Sequence, residues 1–159
     1  SRARASTHSR GWLASLPLEA SGPGWLAVHG APRDPERFHA YVYELTYREN
    51  LQALCDRELA LCFCGHTHVP FVHRRAATGQ SEKLGASAVV VEPGACVIVN
   101  PGSVGQPRDG DSRASFALWD RASGQVSFHR VEYALERTLE DLARSGLPRD
   151  LAHRLELGR

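Results

Sequence analysis

Residues 62–70 read CFCGHTHVP and set four potential metal ligands, Cys62, Cys64, His66 and His68, at alternate positions. Thiolate with imidazole is zinc chemistry. A single site on an extended segment is disfavoured, however. Alternate residues of a strand share one face and rise about 3.3 Å per residue, so four such ligands spread over roughly 20 Å. Zinc holds its ligands at about 2.0–2.3 Å. Either the chain bends at Gly65 or only some of the four residues bind metal.

A third histidine, His29, ends the apolar run WLAVHG just before Gly30. In open α/β sheets, ligands gather at the carboxyl ends of strands. Taken alone, His29 reads more readily as a surface or hydrogen-bonded residue than as a functional one. The Gly-His-x-His turn is the stronger signal, because Gly65 frees the backbone to bend and lets two imidazoles diverge toward two neighbouring ions. His8, His39, His73, His129 and His153 have no partners of this kind and read as solvent-facing or packing residues. A second candidate is NPGSVGQPRDGD, from Asn100. Its backbone N–H groups suit an anion, and Arg108 suits bidentate phosphate. Local chemistry alone favours a tight turn with a surface arginine.

These residues need elements to carry them. WLAVHG and LALCFCG read as short buried strands, and residues 36–58 repeat Phe38, Val42, Leu45, Leu51 and Leu54 at helical steps. VPFVHRR reads as a strand and residues 76–87 as a polar loop. AVVVEPG and ACVIVNPGS suggest a hairpin about Pro93-Gly94. ASFALWD and VSFHRVEY form a second hairpin around RASGQ. Two helices close the chain, one ending at Gly146 and one starting near Pro148. The strand–helix–strand unit should place its two strands side by side. Residues 1–10 read as a loose polar end or connector.

The composition is that of an ordinary globular domain: 159 residues, 42% hydrophobic and 23% charged. A formal net charge of +1 makes no electrostatic case for nucleic acid or an anionic membrane as partner. No apolar run reaches membrane-spanning length. The four cysteines do not read as a disulfide framework, and Cys62 and Cys64 read as small buried hydrophobes, which points to a reducing, cytoplasmic setting.

The motifs GWLASLP, WLAVHGAPRDP, CFCGHTHVPF, VIVNPGSVGQPRDGDSRASFALWD, FHRVEY and GLPRDLAHRLELG, in that order, resemble the calcineurin-like metallophosphoesterases, in particular their small prokaryotic phosphodiesterase-like branch. The resemblance implies an α/β fold, a four-layer αββα sandwich with a dinuclear metal centre at the strand ends. His29 and His66 then resemble ligands of one ion and His68 a ligand of the other, with the cysteines structural. Asn100, Ser103 and Arg108 lie on the loop that runs near the site in relatives, and stand as substrate-binding candidates. The family's Asp-x-His, Gly-Asp and Asn-His-Asp motifs, which supply the bridging aspartate and the catalytic histidine, are absent from this sequence, as is any methionine. The expectation is therefore that residues 11–159 are the C-terminal part of one such domain, an incomplete sandwich.

The activity so implied is hydrolysis of a phosphate ester, in a phosphodiester, phosphomonoester or phosphoprotein, by a hydroxide bridging two divalent ions. Manganese, iron, zinc and nickel all suit such ligands. Three neutral ligands without a bridging carboxylate predict weak metal uptake and little turnover by this chain alone. An interrupted sheet also exposes an edge that invites self-association. The alternative is a protein-interaction scaffold that has kept the fold and lost the chemistry. Retention of all three histidines favours the enzyme.

Overall fold

The computed structural model describes residues 6–37 and 39–159. In chain order the elements are α1 (Thr7–Ser15), β1 (Glu19–Gly22), β2 (Trp25–Val28), α2 (Tyr47–Asp56), β3 (Leu61–Phe63), β4 (Phe71–Arg75), β5 (Ser81–Gly85), β6 (Val89–Val90), β7 (Cys96–Asn100), β8 (Ala114–Asp120), β9 (Gln125–Val131), α3 (Leu135–Arg144) and α4 (Arg149–Leu157). They build a mixed α/β sandwich of two sheets, six strands in the order β1-β2-β3-β7-β4-β5 and three in the order β6-β9-β8.

All five residues of β7 are buried, which explains its unbroken apolar sequence. Cys96 and Ile98 face one way, onto Leu51, Leu54, Leu26 and Cys62 beneath α2. Val97 and Val99 face the other way, into the space between the sheets, with Leu61, Val72, Val89 and Val126. Trp25 meets Trp119 edge-on across that space at 6.2 Å. Each fully buried Val or Leu of these layers contributes roughly 1.5–3 kcal/mol of transfer free energy.

β2, β3 and β7 are parallel neighbours with Ala27, Phe63 and Val99 in register. Their carboxyl ends therefore finish level. That is the strand–helix–strand arrangement expected, with α2 as the crossover. The hairpin β8–β9 and the helices α3 and α4 also fall where the patterns place them.

Several expectations are corrected. The helix expected over residues 36–58 is confined to α2, where Tyr47, Leu51 and Leu54 recur on the buried side. Ahead of it the chain runs in successive turns, from Asp34 N–H to Ala31 O, Arg37 N–H to Asp34 O and Ala40 N–H to Arg37 O. The Thr46 hydroxyl captures this backbone, donating to Tyr41 O and accepting from Tyr43 N–H, in place of helical bonds. Leu45 is exposed and Val42 buried, while Phe38 lies outside the described residues.

Residues 7–10 belong to α1, which Ser6 caps by accepting from Ser9 N–H; residues 1–5 lie outside the described residues. The polar loop over 76–87 contains β5, an edge strand whose polarity suits its exposed side and whose Glu82 pairs across to Arg74. β6 and β7 do not form a hairpin. β7 is already paired on both sides, by β3 and β4, so β6 joins β9 in the second sheet. Cys55 and Cys96 are disulfide-bonded, since the end of α2 lies over the first residue of β7. That bond removes cysteine usage as an argument for a reducing compartment. Among the described residues, no helix is long and apolar enough to cross a membrane.

Candidate metal centre

His29 follows β2 directly, and Gly65–His68 follow β3. The two strand ends are tied together, Gly65 N–H donating to His29 O at 2.9 Å and Cys64 N–H to Val99 O at 2.9 Å. Beyond Gly65 the chain stops being a strand. His66 and His68 both sit in the left-handed region, at φ 65° and 60°. For a residue with a side chain that conformation costs roughly 1–2 kcal/mol. The loop is compact, so the wide spread calculated for an extended segment does not arise.

The cysteines stay behind in the core. Cys62 is 0% and Cys64 3% exposed. Burial pushes the Cys62 thiol up to about 12 and the Cys64 thiol well above its ordinary value. Metal binding needs the thiolate. Both side chains pack in the apolar layer beneath α2 with Leu26, Leu51 and Leu54, as small hydrophobes, and among the described residues they join no group of three side chains placed to hold an ion.

The imidazoles converge instead. His29 Nε2 lies 3.1 Å from His66 Nδ1. The pair is a ring-to-ring hydrogen bond, and its spacing also matches that of two nitrogens bound to one ion at about 2.0–2.1 Å, which stand about 3.0–3.4 Å apart. His68 Nδ1 is 2.7 Å from the carbonyl of Gln106. A carbonyl only accepts, so Nδ1 carries a proton, and in the neutral ring the lone pair is then on Nε2, the arrangement in which a ligating histidine is held.

Desolvation, and then the neighbouring histidines, lower the proton affinity of both His29 and His66. Neutral imidazole is the ligand form. The set is nonetheless incomplete: among the described residues, no group of three His, Cys, Asp or Glu side chains is placed to hold an ion. The two carboxylates of RDGD are engaged elsewhere, Asp109 with Arg130 and Asp111 with Arg113 and Arg130.

The three residues of the NPGS loop expected at the substrate differ in place. Asn100, the last residue of β7, is fully buried. Its Nδ2 donates to Gly65 O at 2.8 Å and to Thr67 Oγ1 at 2.9 Å, and its Oδ1 accepts from Gly102 N–H at 2.9 Å. It lies beneath the histidine loop, away from any surface a substrate reaches. Ser103 Oγ accepts from Gln106 N–H at 2.9 Å and serves its own turn. Only Arg108 offers an exposed head group. Its backbone N–H donates to His68 O at 3.2 Å, and its positive charge contributes to lowering the proton affinity of His66.

Two further residues reach the site that periodicity did not indicate. Tyr41 stacks on His66, with centroids 4.2 Å apart and planes at 23°, and the His39 ring lies 6.0 Å from that of His66. The turns of 31–46 fold back over His29 because Gly30 allows it: a Cβ there would stand 2.6 Å from Ala40 O. Gly30 and the APRDPER segment after it, itself turn-like in sequence, are the available signal; the helical repeat from residue 36 hid the turns that continue beyond it.

A sequence profile of the calcineurin-like phosphoesterase superfamily domain matches residues 3–124. An uncharacterized protein of Methanocaldococcus jannaschii is 31% identical over 152 residues, which are 93% of this chain and 59% of that protein. The crystal structure of a metallophosphoesterase from Sphaerobacter thermophilus superposes with a TM-score of 0.85 at 36% identity, over 100% of this chain and 65% of that one. A hypothetical protein from Pyrococcus horikoshii shares the fold, with a TM-score of 0.70 at 21% identity over 96% of this chain and 55% of that one. The chain thus spans less than two thirds of the length of these relatives.

Proposed function

This chain belongs to the calcineurin-like phosphoesterase superfamily, and from that premise we propose that it supplies the histidine side of a dinuclear centre that hydrolyses a phosphate ester. The supporting observation is the 3.1 Å approach of His29 Nε2 to His66 Nδ1. In this reading those two hold one ion and His68 Nε2 faces the second. Divalent ions, among manganese, iron, zinc and nickel, supply Lewis acidity and a nucleophile at neutral pH.

The chain's own side chains do the rest. Arg108 grips the phosphoryl oxygens as a bidentate donor beside the histidines. Tyr41 and His39 wall one side of His66. The substrate is a small phosphate ester or a phosphoprotein. Two close cations need carboxylates between them, and the reading assigns these to polypeptide beyond these residues. The cytoplasmic setting remains part of the reading, with the state of Cys55 and Cys96 in the cell as its check.

The test is turnover of a chromogenic phosphodiester with manganese, by the 159-residue chain and by a form extended with the family's carboxylate motifs. The reading expects turnover from the extended form only. A purified extended form that binds metal and hydrolyses nothing supports the scaffold instead.

A further inference from the structure

We propose that Asn100 is the positioning residue of the site, holding His66 and His68 in ligand geometry through its carboxamide, and that it does not touch substrate. The inference rests on the reading of the histidines as metal ligands. It stands on hydrogen bonds that flank His66 on both sides. Asn100 Nδ2 carries two protons, and each has a partner, Gly65 O at 2.8 Å and Thr67 Oγ1 at 2.9 Å. The residue between those partners is His66, in a left-handed conformation that the surroundings must impose. His68 follows Thr67 in the same conformation.

Asn100 is itself well anchored. It ends the central strand β7, where it pairs with Phe71 of β4, and it is 0% exposed. Its Oδ1 accepts from Gly102 N–H, which fixes the start of the loop that carries Gln106 and Arg108. That loop meets His68 twice more, through Gln106 O on His68 Nδ1 and Arg108 N–H on His68 O. Gly102 closes this brace at φ 88°, where a Cβ would meet Ser115 Oγ at 2.7 Å. One carboxamide therefore ties the histidine loop and the Arg108 loop to a fully buried strand paired on both sides. Aspartate, of the same shape, keeps the acceptor for Gly102 and loses both donors.

The test uses the whole chain with cobalt(II) as probe, and compares Asn100→Asp, Thr67→Val and, as control, Val97→Ala. Val97 is fully buried in the same strand but faces the space between the sheets. The readouts are amide hydrogen exchange at Gly65 and Thr67 in metal-free protein, and cobalt affinity by visible absorption. Asn100→Asp should speed that exchange at least tenfold and weaken cobalt at least tenfold. Thr67→Val, which removes one acceptor without touching the core, should shift both in the same direction by less. Val97→Ala should lower the melting temperature and leave both readouts near wild type. Wild-type exchange and affinity in Thr67→Val and Asn100→Asp, or an equal loss in Val97→Ala, overturns the proposal. If Asn100→Asp fails to fold, Thr67→Val decides. If the parent chain takes up no cobalt, the metal reading fails, and exchange alone decides whether Asn100 holds the loop.

Discussion

His29 and His66 stand 37 positions apart in the chain, yet their ring nitrogens approach to 3.1 Å. The contact follows from topology. Two parallel neighbours, β2 and β3, end level, and one backbone hydrogen bond from Gly65 to His29 locks the two ends together.

Removing a histidine and removing a cysteine should differ in kind. In an active, extended form, His66→Ala and His68→Ala should each lower turnover by orders of magnitude with small changes in melting temperature. Cys62→Ala and Cys64→Ala should do the reverse, because a buried thiol leaves only a small cavity. Parallel losses in both pairs count against the assignment. Activity and thermal melts of the four variants measure this.

Arg108→Lys should reduce kcat/KM by about 10–100-fold, since a point charge replaces a bidentate fork. Its exposed head group predicts an unchanged melting temperature. Steady-state kinetics and a melt together check it, and unchanged kinetics would show that Arg108 is only a surface residue.

His73 should govern part of the acid sensitivity. It is buried between Phe71 and Tyr47, and among the described residues its Nδ1 has no hydrogen-bond partner. Burial, aided by Lys83 and opposed by Glu44, lowers its pKa to about 4. The unfolded chain takes up this proton near pH 6.5 and the folded chain does not. Stability is therefore full above pH 6.5 and falls toward pH 4, by as much as about 3 kcal/mol. Urea midpoints across that range should fall less steeply in His73→Leu than in wild type.

The Cys55–Cys96 bond closes 41 positions of chain. Loop entropy assigns such a link roughly 3–4 kcal/mol. Reductant, or Cys96→Ser, should lower the melting temperature while leaving cobalt affinity at the histidines intact. A melt unchanged by reductant would remove the bond from the account of stability.

Much of this was legible in the sequence where local pattern and tertiary environment agree. β2, β3 and β8–β9 carry strong apolar or alternating runs, and Gly146 and Pro148 mark the helix ends. GHTH and the NPGS loop fall at the ends of the neighbouring parallel strands β3 and β7, as their apolar runs suggested. What escaped depends on contacts between distant segments. Asn100 reads as a loop residue until its bonds to Gly65 and Thr67 are seen. His39 and Tyr41 reach His66 through turns that Pro32, Pro35 and the Thr46 hydroxyl favour over the helix their spacing suggested. Cys55 and Cys96 meet only because α2 packs across β7, and β6 and β7 part company because β7 has no free edge.

The most direct test of the central claim, that His29 and His66 share one ion and His68 serves another, is cobalt(II) titration of the chain followed by its visible absorption. The account predicts one weakly held cobalt. Its spectrum should vanish in His29→Ala and in His66→Ala, and should persist in His68→Ala at similar affinity. Equal loss in all three variants, or a spectrum that survives removal of His29, would contradict it.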